Sequence, residues 1–154
     1  MLRTPGAGIL IVLVCLCSLN AQSPPVAPVP SQIPAAKKVF VANGGQELDA
    51  RTRTTLDVYS GGQDRAYNEV YAALKSWGKY ELVGTPAEAD LTFEIHLGGD
   101  GNLHLAIVDP KTHTVLWAFN EFVEFAALKV NRDKNFERAL QNIVSDLKGL
   151  AAKP

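Results

Sequence analysis

The stretch from Leu91 to Asp109 alternates apolar and polar side chains with hardly a break, LTFEIHL and then LHLAIVD, around the glycine-rich Gly98-Gly99-Asp100-Gly101-Asn102. Period-two alternation sends successive side chains to opposite faces of a strand, so the two runs form an antiparallel hairpin with one face buried. The tip pairs Leu97 with Leu103 and His96 with His104. A third run, Thr114 to Phe122, follows Asp109-Pro110-Lys111-Thr112-His113. Proline suits the second position of a type I turn there, and His113 takes the left-handed position that glycine usually fills. Pairing Asp109 with Thr114 sets Ala106 against Trp117 and His104 against Phe119. The expected core face is then Leu91, Phe93, Ile95, Leu97, Leu103, Leu105, Ile107, Leu116 and Ala118. The outer face carries Thr92, Glu94, His96, His104, Ala106, Val108, Val115, Trp117 and Phe119.

The remaining elements fall on either side of this meander. Lys38 to Ala42 (KVFVA) is a β-rich run that Asn43-Gly44-Gly45 should stop. Between Asp64 and Trp77, the residues Tyr67, Val70, Tyr71, Leu74 and Trp77 recur at three and four positions, which predicts a helix ended by Gly78. Tyr80 to Val83 reads as a short strand and Pro86 to Ala89 as a turn. Phe136, Leu140, Ile143, Val144, Leu147 and Leu150 predict a final helix, with Asn131 as its cap and Lys148-Gly149 at its close. The order β-α-β-β-β-β-α predicts an α/β (α+β) two-layer sandwich, a mixed sheet of about five strands with two main helices on one face, and a parallel crossover at its start.

Ile9 to Leu19 is almost wholly apolar and holds the only two cysteines, Cys15 and Cys17; Arg3 precedes it and the small Ala21 closes it. This is the pattern of a secretory signal peptide over residues 1–21. As a helix the apolar run rises only about 17 Å against a hydrocarbon core of about 30 Å, too little for an anchor. Val14 and Leu16 stand where a lipoprotein signal would have a small residue. Cleavage therefore predicts an exported chain, periplasmic or extracellular, with no thiol and no transmembrane segment. Five of the nine prolines lie between Pro24 and Pro34, so residues 22–36 read as a proline-rich tether and 37–152 as a single domain. The net charge is −1 with no basic cluster, which argues against nucleic acid as a partner.

Five segments, KVFVANGG, DRAYNEVYAALKSWGKYELV, PAEADLTFEI, DPKTHTVLWAF and NRDKNFERAL, resemble an uncharacterised family of small exported bacterial proteins. The order of elements is also similar, at the level of fold, to small envelope α/β domains such as the TolB amino-terminal domain and the curli-secretion lipoprotein. The resemblance implies an exported domain acting at or beyond the cell envelope. It supplies no catalytic residue.

Chemistry is sparsely signalled. GGQ occurs twice, at Gly44-Gly45-Gln46 and Gly61-Gly62-Gln63, and both read as turns. His96 and His104, with Glu94 two residues back on the same face, are the one candidate metal set. Cross-strand neighbours lie about 5 Å apart, but Glu94 is a full pleat away and a further ligand is missing, so a pair of polar residues and no metal is the first reading. No G-x-S-x-G turn or cysteine nucleophile is present in the mature chain, and no cofactor is indicated. The outward Trp117, Phe119, Val115 and Val108 would form an apolar patch, either covered by the stretch from Asn43 to Gly62 or used for binding. Strand direction gathers that stretch, the Gly84 to Ala89 turn, the Gly98 to Asn102 tip and the stretch from Glu121 to Val130 at one end of the sheet, where open α/β sheets bind ligands. These features predict a non-catalytic binding module for a protein or cell-envelope component, touching Arg51, Arg53, Asp100, Asn102, Glu121 or Trp117. The alternative is a small periplasmic hydrolase or metal-dependent enzyme.

Overall fold

The computed structural model describes residues 27–47 and 60–153. Its five strands, β1 (Lys38–Gln46), β2 (Glu81–Leu82), β3 (Leu91–Leu97), β4 (Leu103–Asp109) and β5 (Thr114–Glu121), form one mixed sheet in the order β2-β1-β3-β4-β5. β2, β1 and β3 run parallel, while β3, β4 and β5 form an antiparallel meander. Three helices lie on one face: α1 (Gln32–Ala35), α2 (Gly62–Trp77) over β1 and β3, and α3 (Lys129–Ala151) over β4 and β5. The α/β sandwich expected from the periodicity is therefore the fold, with one extra helical turn.

Burial follows the alternation. Leu91, Phe93, Ile95, Leu97, Leu103, Leu105 and Ile107 are buried beneath Ala66, Val70 and Leu74 of α2 and Phe136, Ile143 and Leu147 of α3. The start of α2 is pinned to α3 by one guanidinium. Arg65 pairs with Glu69 in its own helix and with Asp133 (3.1 Å) and Glu137 (3.3 Å) of α3, and lies 4.5 Å from the centroid of the Phe136 ring.

Five expectations are corrected. β5 does not continue the simple register: Val108 pairs with Val115, but Ile107 pairs with Trp117, Ala106 with Ala118 and Leu105 with Phe119. The extra residue at Leu116 is a β-bulge, and one inserted residue exchanges the faces beyond it. Trp117 and Phe119 consequently pack against the core from the helical side, and Ala118 is exposed. The expected outward aromatic patch does not form.

β1 is also longer than its glycines suggested. It runs through Asn43-Gly44-Gly45 with a shift in register between Asn43 and Gln46, and Gly45 takes φ +82°. A bulge with a left-handed glycine lets the strand continue past residues that otherwise end it.

The Gly84 to Ala89 turn does not emerge at the carboxyl ends of the strands. β2 pairs only with the first residues of β1, and the chain then returns to pair Leu91 with Val39 on the other side of β1. Its 3-10 turn, Pro86–Glu88, crosses the outer face, where Pro86 and Ala87 form a cleft of about 480 Å³ with Phe40, Thr92, Val108 and His113.

α3 begins at Lys129, preceded by Leu128 without a side-chain cap, so Asn131 lies inside the helix. Finally, the folded body reaches into the proline-rich stretch. Ile33 of α1 is fully buried, Ala36 is buried, and Val29 packs against the core.

Candidate functional site

The carboxyl ends of β1 and β3 and the tip between β3 and β4 bring together two histidines and two exposed carboxylates. His96 and His104 are direct cross-strand partners, as the alternation predicted, with ring centroids 4.7 Å apart and planes inclined by 12°. His96 Nε2 lies 3.8 Å from Glu47 Oε1, and His104 Nε2 lies 3.9 Å from Asp100 Oδ1. Each imidazole therefore has one carboxylate at its outer nitrogen, and the stacked rings present one flat, half-exposed surface.

The backbone makes room for this arrangement. A side chain at Gly44 would place its Cβ 3.0 Å from the Cβ of His96 and 3.1 Å from Cγ of Glu94, so the bare backbone of β1 lets Glu94 and His96 stand beside it. At Gly98 a Cβ would lie 2.6 Å from His104 Nε2 and 2.7 Å from Asp100 Oδ1. Both distances are shorter than a van der Waals contact, so the glycines shape the site as well as the turn.

The tip is ordered by its own polar groups. Asp100 accepts from the Asn102 backbone N–H (3.0 Å) and from Asn102 Nδ2 (2.6 Å), and Glu47 accepts from the Gly99 N–H (3.4 Å). The Glu47 backbone N–H donates to the Leu97 carbonyl at 2.9 Å, which extends the β1–β3 ladder to this end. Glu121 closes the far corner: it pairs with Leu103 in register and accepts from Asn142 of α3 at 3.2 Å.

Of the residues singled out in the sequence, Asp100, Asn102, His96 and His104 come together and Glu94 stands beside His96. Glu121 lies at the same strand end, two strands across from β3. Trp117 is elsewhere, on the helical side. Arg51 and Arg53, with Leu48, Leu56, Val58 and Tyr59 of the proposed lid, lie outside the described residues. His113 is in the opposite turn, at φ 56° as expected. Among the described residues no group of three His, Cys, Asp or Glu side chains is placed to hold a metal ion.

Two participants were not legible from the sequence. Glu47 follows a predicted stop, and its place beside His96 depends on β1 continuing through the glycines. Gln63, read as part of a turn, is buried and donates through Nε2 to the Ile95 carbonyl at 2.7 Å, where the β1–β3 register slips. The second GGQ is thus structural, with Gly61 and Gly62 at φ +86° and +49° leading into α2 and Gln63 completing the ladder.

No family model matches the chain, and no curated protein matches it. Several solved structures are similar to it in part. PelC from Paraburkholderia phytofirmans, crystallised as a dodecamer, superposes with a TM-score of 0.50 at 15% identity over 83% of this chain and 96% of that one. A Xanthomonas campestris protein from a domain family of unknown function gives 0.48 at 18% identity, over 73% and 82%. LpoB of E. coli gives 0.41 at 13% identity, over 77% and 81%. Among the described residues no helix is long and apolar enough to cross a membrane.

Proposed function

We propose that the chain is an exported, non-catalytic binding module that engages a protein or another envelope component through the carboxyl end of its sheet. The observation that carries this reading is the stacked His96–His104 pair held between the exposed carboxylates of Glu47 and Asp100 on a tip braced by its own hydrogen bonds. The charged groups lie open on a surface, the arrangement that suits contact with a large partner, and flat imidazole faces with flanking acids complement a segment bearing basic and planar side chains. The apolar leader over residues 1–21 supports export, and the resemblance to small exported bacterial proteins supports a place at the envelope. The fold shared with PelC, itself an assembly of many copies, is compatible with a role in protein contacts. Arg51 and Arg53 belong to the proposal through their position between β1 and α2 in the chain.

The test is capture from the envelope fraction of the native host with the tagged full chain. Asp100→Lys, Glu47→Lys and the pair Arg51→Glu with Arg53→Glu are compared with Thr112→Lys at the opposite end. Loss of a captured component in the first three, with unchanged melting temperature and intact capture by Thr112→Lys, supports the reading. Capture unaffected by all of the tip variants refutes it. Zinc that survives dialysis and is lost in His104→Ala would point instead to a metal-dependent enzyme.

A further inference from the structure

Among the described residues β5 is an eight-residue edge strand, whereas the other edge of the sheet, β2, is two residues long. An unpaired edge presents backbone donors and acceptors to any passing strand, and proteins usually guard it with lysine, proline or an inward charge. The β5 sequence TVLWAFNE has no lysine and no proline, and its one charged residue, Glu121, is terminal. Its bulge lies near the opposite end, which leaves Trp117 to Glu121 regular. Beside this edge, Trp117 and Phe119 line a cleft of about 470 Å³ with Asp146 and Gly149 of α3 and with Lys153, two residues beyond its end.

We infer that the edge is closed by a second copy of the chain, related by a two-fold axis that pairs β5 with β5 at Ala118 and sets the two α3 helices side by side at Gly149. Strand and helix place that axis independently. In an antiparallel pair centred on Ala118, Trp117 stands opposite Phe119 of the second copy. Beyond the bulge, Asn120 meets Val115 and Glu121 meets Thr114. No like charges are opposed, and the aromatic pair forms twice on the helical side.

The hydrogen bond between Asn142 and Glu121 registers α3 against β5, and the helix runs back along the strand. From Glu121 to Ala118 is about 10 Å of strand, or about seven residues of helix at about 1.5 Å each, which leads from Asn142 to Gly149. At that point the helix has no side chain, and among the described residues nothing outside the helix's own backbone lies within 4 Å of where a Cβ would be. Asp146 and Lys153 flank it at nearly equal distances. Antiparallel neighbours would therefore bring Asp146 of each helix to Lys153, just past the end of the other helix. This balance of opposite charges about the same point distinguishes a second copy from an unrelated strand or a lipid surface, neither of which calls for it.

Light scattering on the purified full chain tests the inference. The expected mass is that of two chains. Gly149→Arg, which fills the gap without touching the core, and Asp146→Lys, which opposes lysines across the axis, should each give the mass of one chain with an unchanged circular dichroism spectrum. Asp146→Lys combined with Lys153→Asp restores the opposite charges and should return the mass to two chains. A native mass of one chain overturns the proposal, as does an assembly that both single variants leave intact. Failure of the charge exchange to restore the pair overturns the α3 contact on which it rests.

Discussion

Replacing Ile33 by alanine asks whether the proline-rich stretch is a tether or part of the fold. Ile33 is 0% exposed, and α1 is held at its start by the hydrogen bond from the Ile33 N–H to the Pro30 carbonyl at 3.0 Å. Truncation removes apolar carbon worth about 0.8 kcal/mol for each buried methylene equivalent and leaves a cavity beneath α1 and α3, which together come to about 2.5–4 kcal/mol. For a domain of this size each kcal/mol corresponds to about 4 °C, so the melting temperature should fall by roughly 10–16 °C. The assay is thermal unfolding followed by circular dichroism, with Gln32→Ala as the exposed neighbour, for which the change should stay within about 0.5 kcal/mol. If Ile33→Ala melts within about 2 °C of the native chain, equivalent to about 0.5 kcal/mol, α1 is a dispensable tether and the burial argument fails.

Gln63→Leu should cost about 1–3 kcal/mol, because it leaves the buried Ile95 carbonyl without its donor; urea unfolding with no loss of midpoint would refute the structural role of the second GGQ. Tyr80→Phe should be neutral or slightly stabilising at neutral pH, since the buried hydroxyl has no hydrogen-bond partner among the described residues while the ring keeps its edge contacts with Trp77 and Phe93. Burial pushes the Tyr80 phenol up to about 12, so its contribution is full below the unfolded value near 10 and is lost as pH rises toward 12; Tyr80→Phe should flatten that alkaline decline in a melting series. Asp90 is held below its ordinary value by the backbone N–H groups of Lys38 and Lys37, at 2.9 and 2.8 Å. Its contribution is present above the unfolded value of about 4 and disappears as pH falls through the lower folded value, so Asp90→Asn should reduce the acid sensitivity of the melting temperature; an identical acid limb would contradict this.

The strands β3 and β4, their hairpin and the cross-strand pairing of His96 with His104 were determined by local pattern. Strict alternation fixes which side chains share a face, and a short glycine-rich tip admits one register. The helical stripes of α2 and α3 were legible for the same reason, since three- and four-residue recurrence defines a buried side without reference to the rest of the chain. Trp117 and Phe119 show where that logic ends. Their side of the sheet depends on one bulged residue, Leu116, and nothing in TVLWAFNE marks it; packing of the aromatic rings beneath α3 decides the register, because burying them outweighs one irregular step in the ladder. Gly44 and Gly45 likewise signal a stop locally, yet β3 on one side and Gln63 above hold the strand in place. Ile33 has no periodic neighbours to announce it, and only the groove beside α3 makes it core. The sequence by itself determined the elements, the core face of the central hairpin and the histidine pair. The tertiary structure decided the end of β1, the face of β5 and hence which groups flank the histidines, because each depends on contacts between segments far apart in the chain.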